Sequence, residues 1–216
     1  MLRRPLVAAI AAIGALSATV LGASRAQEAR AAAAFPVTVK ADNGKVTIPA
    51  RPRRIVSLSP TATEMLFAVG AGRQVVAVDD QSNFPKSAPK TRLSGFKPNA
   101  EAIARYRPDL VVISNDQDQI LAKLRRLRVP VLLNGAAPNL GEAYRQMGQL
   151  GIATGHRAQA GRLIARLRTR MTAIVASARV QRGKTLSFYH ELSPDLYSAT
   201  SRTFIGSIYA RLGLRN

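Results

Sequence analysis

The stretch Arg54-Ile-Val-Ser-Leu-Ser-Pro-Thr-Ala-Thr-Glu64 decides the fold class. It opens with a short apolar run, Ile55 to Leu58, which predicts a buried β-strand, and it continues through a polar turn. Thr61 and Glu64 have the spacing of a capping box, in which two side chains satisfy backbone amides at the start of a helix. The stretch therefore predicts a strand, a loop and a helix over residues 62–69, the repeating unit of α/β proteins.

The same alternation continues on the carboxyl side of this unit. Apolar runs predict further strands at residues 74–78, 109–113 and 129–133. Capped or amphipathic segments predict helices at residues 100–107, 120–128 and 140–150. On the amino side, Asn43-Gly44 between two β-rich runs predicts a hairpin. Strands and helices that alternate at this spacing form a parallel sheet with helices on both faces.

The longest periodic element runs from His156 to about Arg179, with apolar residues at the spacing of one helix face. A helix of about 24 residues extends roughly 36 Å, so it is either an ordinary packing helix or a strut between two units. Beyond it, a strand at 185–189 and a helix at 203–212 partly repeat the order of the first unit. They predict the beginning of a second α/β lobe.

Composition narrows the class of function. The 216 residues contain no cysteine and two histidines, which excludes a disulfide framework, a thiolate metal site and a cysteine nucleophile. The net charge of +20 raises the alternative of a basic nucleic-acid-binding module. The basic residues are dispersed, however, and aromatic residues make up only 5% of the chain. We therefore expect no nucleic-acid partner.

Motifs of the common enzyme classes do not occur in the sequence. It contains no Gly-x-Ser-x-Gly elbow, no phosphate-binding Gly-Lys-Ser/Thr loop and no His-Glu-x-x-His helix. Asp79-Asp80 is the one adjacent acidic pair, and neither histidine is near it in sequence. We therefore expect a protein without catalytic residues, without a metal site of its own and without a resident cofactor.

The amino-terminal segment has the three-part order of a secretory signal peptide. Residues 1–4 end with two arginines, residues 6–21 are apolar, and Ser24-Arg25-Ala26 has the form of a cleavage site. We expect cleavage after Ala26 and an exported mature protein. An uncleaved membrane anchor is the alternative, because the apolar stretch is marginal for a spanning helix.

The predicted topology also places a binding rim. In parallel α/β sheets, ligands bind outside the carboxyl ends of the strands. The loops that follow the first three strands of the sheet begin at residues 59, 79 and 114. We expect a rim formed by residues 59–63, 79–84 and 114–116, which include Thr61 and Asn115.

Five motifs follow one another through this region: Arg54–Glu64, Val69-Gly-Ala-Gly72, Phe84-Pro85, Asn99-Ala-Glu101 and Arg107-Pro-Asp-Leu-Val-Val112. In this order, behind a signal peptide, they resemble the iron-chelate, haem and vitamin B12 substrate-binding proteins of bacterial ABC importers. The resemblance extends from about Pro52 to Asn216.

The resemblance implies an α/β protein with a Rossmann-like parallel-sheet lobe, a long connecting helix and the start of a second lobe. Its expected divisions are a signal peptide at 1–26, a linker and hairpin at 27–52, the first lobe at 53–153, the helix at 154–182 and the beginning of the second lobe at 183–216. The second lobe is expected to be incomplete at Asn216. A single-lobe sensor or scaffold without transport is therefore the alternative function.

The resemblance further implies a periplasmic protein that captures a small-molecule metal chelate between two lobes and delivers it to an ABC permease in the inner membrane. We expect a monomer. The family's contacts fall, by position, on Ser59, Gln81, Phe84, Phe96, Ser114, Tyr189 and His190, to which the rim adds Thr61 and Asn115. Core packing is the alternative for both phenylalanines, and a hydrogen-bonded loop position is the alternative for His190.

Three ligands stay open at this point: haem, a ferric siderophore and cobalamin. Cobalamin binders of the family carry tryptophans, and this sequence has none. Tyr189, His190 and Tyr197 are candidate axial ligands for haem iron. Glu101 stands where the family has the first-lobe glutamate that docks an arginine of the permease. Its alternative role is to complement the helix dipole.

Overall fold

A four-stranded parallel sheet forms the centre of the first lobe in the computed structural model, which describes residues 34–178, 186–195 and 197–215. Its strands are β3 (Ile55–Leu58), β4 (Val75–Val78), β5 (Leu110–Ile113) and β6 (Val131–Leu133). They lie in the order β4-β3-β5-β6 and are all parallel. The predicted parallel α/β sheet is confirmed.

Helices cover both faces of this sheet, as predicted. They are α1 (Pro60–Ala68), α2 (Ala100–Ala104), α3 (Ile120–Arg126) and α4 (Leu140–Ala153). On one face, Leu66 of α1 and Leu150 of α4 share a core with Ile55. On the other face, Ile103 of α2 and Leu124 of α3 share a second core with Val56. The side chains of adjacent strand residues thus pack into cores on opposite faces of the sheet. This is why these strands are apolar at consecutive positions.

A β-hairpin closes the β6 edge of the sheet. It consists of β1 (Val37–Ala41) and β2 (Gly44–Ile48), and Gly44 takes φ +96° in the turn, as the Asn-Gly signal predicts. The Asn43 amide donates to the carbonyl oxygen of Val131 (2.9 Å) and accepts from the backbone N–H of Leu133 (3.1 Å). One side chain therefore satisfies backbone groups that an exposed edge strand would leave unpaired.

The long helix, α5 (Arg157–Ala178), packs against α4. It begins after a turn at Gly155, whose φ is +77°. Ala160 is buried against α4, whereas Ile174 in the last two turns is 45% exposed. The helix predicted from His156 is confirmed as far as residue 178, and its predicted end lies outside the described residues.

The last described segment contains α6 (Phe204–Arg211), capped by Thr203, close to the predicted 203–212. The strand predicted at 185–189 is wrong in extent, because the residues described there form only an isolated bridge between Ser187 and Arg215. Two backbone hydrogen bonds hold that bridge. A strand of useful length needs a longer partner than this segment provides.

The capping box predicted for α1 is also wrong. The helix begins at Pro60, and its cap is Ser59, whose Oγ accepts from the N–H of Ala62 at 3.3 Å. Proline fits the first helical position because its missing N–H would have no partner there. The start of α1 therefore moves two residues upstream of the prediction. Helix α2, predicted to run to residue 107, is shorter than predicted and ends at Ala104.

Several predictions lie outside the described residues: the signal peptide at 1–26, the linker up to residue 33, and the junction between α5 and the second lobe at 179–185. No helix in the part of the chain that the structure describes is long and apolar enough to cross a membrane. The division into lobes at 53–153 and 183–216 stays a prediction.

Candidate ligand-binding site

The candidate site lies at the carboxyl edge of the sheet. The chain goes from β3 to β4 on one side and then crosses to β5 on the other side of β3. Connections that leave neighbouring strands in opposite directions open a crevice between them, where α/β proteins bind ligands. The loops that begin at Ser59 and Ser114 flank this crevice. The topology thus supports the rim that the sequence predicts.

A chain of buried hydroxyl groups lies under the rim. The Thr63 hydroxyl donates to Ser57 Oγ at 2.9 Å and lies 2.9 Å from Ser82 Oγ. Ser82 Oγ is in turn hydrogen-bonded to the Asp79 carboxyl group. At the other end, the Ser57 hydroxyl donates to the carbonyl oxygen of Ser59 at 3.3 Å. The chain therefore connects the loop after β3 with the loop after β4.

Burial raises the pKa of Asp79, against the lowering effect of its hydrogen bond with Ser82. When Asp79 carries a proton, every hydroxyl can donate to the next one, from Asp79 through Ser82 and Thr63 to Ser57. When Asp79 is ionised, Ser82 has to donate its one proton to the carboxylate, so it can no longer donate to Thr63. The protonation of Asp79 therefore sets the order of the hydrogen bonds below the rim.

The loop after β4 returns to the sheet and carries two aromatic residues. The N–H of Asp80 donates to the carbonyl oxygen of Leu93 at 2.7 Å, which closes the loop at its base. Phe84 in this loop is 59% exposed, and Phe96 just after it is 70% exposed. Core packing, the alternative for both rings, is therefore wrong. Two apolar rings are therefore exposed at the carboxyl edge of the sheet, where a ligand would bind.

Gly95 connects the Phe96 loop with the buried carboxyl group. A Cβ atom at this position would lie 2.7 Å from Oδ2 of Asp79 and 3.0 Å from the carbonyl oxygen of Leu58. The Ser94 hydroxyl accepts from the N–H groups of Phe96 and Lys97, at 3.2 and 3.1 Å. The backbone below the Phe96 ring is therefore held by close packing and by a side-chain turn.

The predicted polar contacts differ in how accessible they are. Ser59 is only 4% exposed, and its hydroxyl caps α1, so its side chain is already engaged. Thr61 and Gln81 are exposed on the rim. Ser114 and Asn115 are half-buried after β5, and the Asn115 amide donates to Ser114 Oγ at 3.3 Å. Thr61, Gln81, Ser114 and Asn115 are therefore the better placed polar groups.

Asn134 is a rim residue that the sequence interpretation missed. It follows β6, is buried, and neither atom of its side-chain amide has a hydrogen-bond partner among the described residues. Its backbone N–H donates to the carbonyl oxygen of Ile113 at 2.9 Å, which fixes it beside the end of β5. A polar residue directly after an apolar strand was the available signal, and it extends the rim to the fourth strand.

The second-lobe residues lie in the last described segment. Nδ1 of His190 is 2.9 Å from the Tyr209 hydroxyl of α6, and the two rings are 5.6 Å apart. The hydrogen-bonded loop position expected as the alternative for His190 is thus what the structure has. Tyr189 is 64% and Tyr197 70% exposed. The two tyrosines are the more accessible candidates for iron ligation.

Glu101 is exposed in the first turn of α2. The cap of this helix is Asn99, whose Oδ1 accepts from the N–H of Ala102 at 2.9 Å. The Glu101 carboxylate is thus not needed to cap the helix. Within the described ranges no ion pair involves it, since those found there join Arg145 with Asp42 and with Glu142.

No group of three or more histidine, cysteine, aspartate or glutamate side chains in the described part of the chain could hold a metal ion. A metal ion that arrives inside a chelate already has most of its ligands from the chelator and needs few from the protein. Exposed tyrosines and aromatic walls are therefore the groups that could bind such a ligand.

Comparison with known proteins identifies the family. A sequence profile described as "Periplasmic binding protein" matches residues 55–216, which is most of the chain. The chain belongs to the periplasmic binding protein family. The match begins at β3, the strand that opens the parallel sheet, and includes every rim residue named above.

Two curated relatives of this periplasmic binding protein are 30% identical to it. One is an uncharacterized ABC transporter substrate-binding lipoprotein of Bacillus subtilis, for which the match covers 84% of this chain and 61% of the relative. The other is a cobalamin-binding protein of Halobacterium salinarum, with 88% and 53% covered. The chain thus spans little more than half the length of these relatives. Both relatives are named as binding proteins, which agrees with the kind of protein expected from the sequence.

Solved structures confirm the fold of this periplasmic binding protein. A possible iron-binding periplasmic solute-binding protein of Staphylococcus epidermidis superimposes with a TM-score of 0.69 at 26% identity, over 77% of this chain and 67% of that chain. The vitamin B12-binding protein of Vibrio cholerae superimposes with a TM-score of 0.65 at 22% identity, over 77% and 66%. The predicted resemblance to binding proteins for iron chelates, haem and vitamin B12 is therefore confirmed.

Proposed function

We propose that this chain captures a metal chelate at the carboxyl edge of its parallel sheet and presents it to an ABC permease. The ligand class is haem, a ferric siderophore or a corrinoid. The observation that carries the proposal is the exposure of Phe84 and Phe96 on loops at that edge. Covering these exposed apolar rings with a ligand removes apolar surface from water, which favours binding.

The neighbouring polar groups fit this ligand class. Macrocycles and aromatic chelates present flat apolar faces with polar groups at their margins. The two phenylalanine rings supply apolar walls, and Thr61, Gln81 and Asn115 supply hydrogen-bonding groups around them. Such a site orients a ligand through a few polar contacts and binds it mainly through buried apolar area.

The second half of the proposed site comes from the last segment. Tyr189 and Tyr197 are exposed there, and a tyrosine hydroxyl is an established type of haem-iron ligand. His190 is hydrogen-bonded to Tyr209 through Nδ1, which leaves Nε2 as its atom for iron. We propose that a haem or ferric chelate is held between Phe84 and Phe96 on one face and the tyrosines of the last segment on the other.

The remaining parts of the proposal concern location and partner. Residues 1–26 are proposed to direct export and to be removed, which leaves the protein in the periplasm as a monomer. Glu101 is proposed to dock on the permease, because its carboxylate is exposed and its helix is capped by another residue. The Bacillus subtilis relative, which is named as an ABC transporter substrate-binding lipoprotein, supports a role beside a membrane importer.

An absorbance titration tests the proposal. The purified chain is titrated with haem and, separately, with cyanocobalamin and a ferric catecholate siderophore. Saturable 1:1 binding of one of the three, with a shifted haem band where tyrosine or histidine ligates the iron, is the expected result. Failure of all three to saturate, or turnover of any of them, would contradict the proposal.

A further inference from the structure

A cavity of ≈ 270 Å³ lies between α4, α5 and α6, away from the proposed chelate contacts. Its walls include Tyr144 from α4, Arg168, Met171 and Thr172 from α5, and Arg211 from α6. None of the rim residues lines it. All three of these helices contribute side chains to this one space, which is open to solvent on one side.

The charge in this cavity comes from two guanidinium groups on different helices. In the described ranges neither Arg168 nor Arg211 has a carboxylate within 4.0 Å, since the ion pairs found there belong to Arg145. Glu142, the acidic residue in the first turn of α4, is held by Arg145, whose Nε lies 2.8 Å from both carboxylate oxygens. No side chain of the cavity wall therefore neutralises the two cations.

Arg168 and Arg211 are both exposed beside this cavity, and two like charges that face the same space repel each other. An anion between them changes that repulsion into two attractive contacts, and guanidinium groups suit carboxylates and phosphates because they offer paired N–H donors. The repulsion itself therefore favours an anionic occupant.

The geometry of Arg168 supports this role. Its Cζ atom lies 5.4 Å from the centroid of the Tyr144 ring, so the ring holds the guanidinium over one wall of the cavity. The Thr172 hydroxyl donates to the backbone carbonyl oxygen of Arg168 at 3.0 Å, so this hydrogen bond does not involve the guanidinium N–H groups. The Met171 side chain adds an apolar patch to the wall.

We infer that this cavity binds a small organic anion, a carboxylate or a phosphate, between Arg168 and Arg211. The site lies beyond the proposed chelate function, because its residues are separate from the rim and its volume suits a molecule far smaller than a porphyrin. An anion bound there also links α6 of the last segment to α4 and α5 of the first lobe.

Isothermal titration of the 216-residue chain with citrate and with inorganic phosphate, at constant ionic strength, tests this inference. Saturable binding at one site per chain is expected, and tighter binding of citrate or of phosphate identifies the carboxylate or the phosphate as the preferred anion. R168Q and R211Q are each expected to weaken binding at least ~10-fold, which is the loss of one charge-assisted contact. The matched control is R166Q, an exposed arginine of the same helix that does not line the cavity.

Three results would overturn the inference. These are the absence of saturable binding of both probes, an equal loss in R166Q, and a loss confined to one of the two cavity variants. An F96A variant, which alters the rim alone, is expected to bind the anion as the unmodified chain does. Failure of the chelate proposal would leave the anion titration unchanged, so the two ideas are tested separately.

Discussion

The Arg51 guanidinium donates a hydrogen bond to Nε2 of His156, with Nη2 and Nε2 3.3 Å apart, although the residues are 105 positions apart in the sequence. The Thr154 hydroxyl donates to the carbonyl oxygen of Leu150 at 2.7 Å, so its oxygen accepts the N–H of His156 Nδ1 at 3.1 Å. These partners assign the neutral Nδ1-protonated tautomer. A second proton would have to sit on Nε2, directly against a guanidinium.

Stability is therefore expected to depend on His156 near neutral pH. Burial, followed by the charge of Arg51, lowers the pKa of His156 from its ordinary 6.5. The unfolded chain then binds the proton more readily than the folded one, so the free energy of unfolding falls as pH drops through and below 6.5. Urea unfolding of the wild type and of H156Q between about pH 7.5 and pH 5.5 measures this. Parallel curves for the two proteins would contradict the prediction.

A second prediction concerns the contact between α4 and α5. A Cβ atom at Gly151 would lie 2.3 Å from Cβ of Ala160, so G151A should separate the two helices and destabilise the fold by about 1–3 kcal/mol. Gly161 follows Ala160 in α5, and a Cβ atom at this position would have no other atom within 4 Å. G161A is therefore the control, and it should stabilise the protein by about 0.5–1 kcal/mol through helix propensity. Chemical denaturation that gave both variants the same sign would contradict the predicted contact.

A third prediction follows from the buried Asp79. Because burial raises its pKa above the ordinary 3.8, ionisation of this carboxyl group costs folding free energy as pH rises. D79N replaces the carboxyl group by a neutral amide that can still donate and accept hydrogen bonds. It should therefore raise the free energy of unfolding at pH 7. The gain should shrink as pH falls toward 4, because the raised pKa lets the native carboxyl group take up a proton earlier than a free carboxyl group does. Denaturation curves at both pH values check this, and a D79N variant that is less stable at pH 7 would refute it.

A fourth prediction tests the exposed aromatic rim. F96A should weaken binding of the chelate that the chain prefers by about 10- to 100-fold, since burying one phenylalanine ring contributes about 1.5–3 kcal/mol. L127A removes an exposed apolar side chain that precedes β6, at the opposite edge of the sheet, and should leave affinity unchanged. The absorbance titration of both variants decides the matter. Equal affinities for F96A and wild type would remove Phe96 from the site.

A fifth prediction separates docking from ligand binding. E101A should leave chelate affinity unchanged and slow uptake in cells or in permease-containing vesicles, because the carboxylate is exposed and pairs with no described residue. E64A, on the exposed face of α1, is the matched control and should transport normally. Reduced affinity in E101A would assign this carboxylate to ligand binding or to helix stability instead.

Local patterns in the sequence predicted most of the elements correctly. Asn99 is the cap of α2, and Gly44 has the positive φ that its hairpin turn requires. Each of these features depends on interactions between residues a few positions apart. Such interactions are present in the sequence whatever the rest of the chain does, so they can be predicted from it.

The errors arose where two local patterns competed or where a distant partner was needed. Ser59 and Thr61 are both plausible caps, and Pro60 between them decided for Ser59 because proline suits the first helical position. The strand expected at 185–189 had the right composition, but pairing requires a neighbour, and only Arg215 bridges it among the described residues. Propensity alone did not determine either outcome.

The sequence by itself determined the alternation of strands and helices, the parallel sheet that this alternation requires, and the family, because all three depend on the order of residues along the chain. Only the tertiary structure decided the strand order β4-β3-β5-β6, the burial of Asp79 with its hydroxyl chain, and the exposure of Phe84 and Phe96. It also brought Arg168 and Arg211 to one cavity. These features join residues that are tens of positions apart, and such contacts form only when the whole core packs.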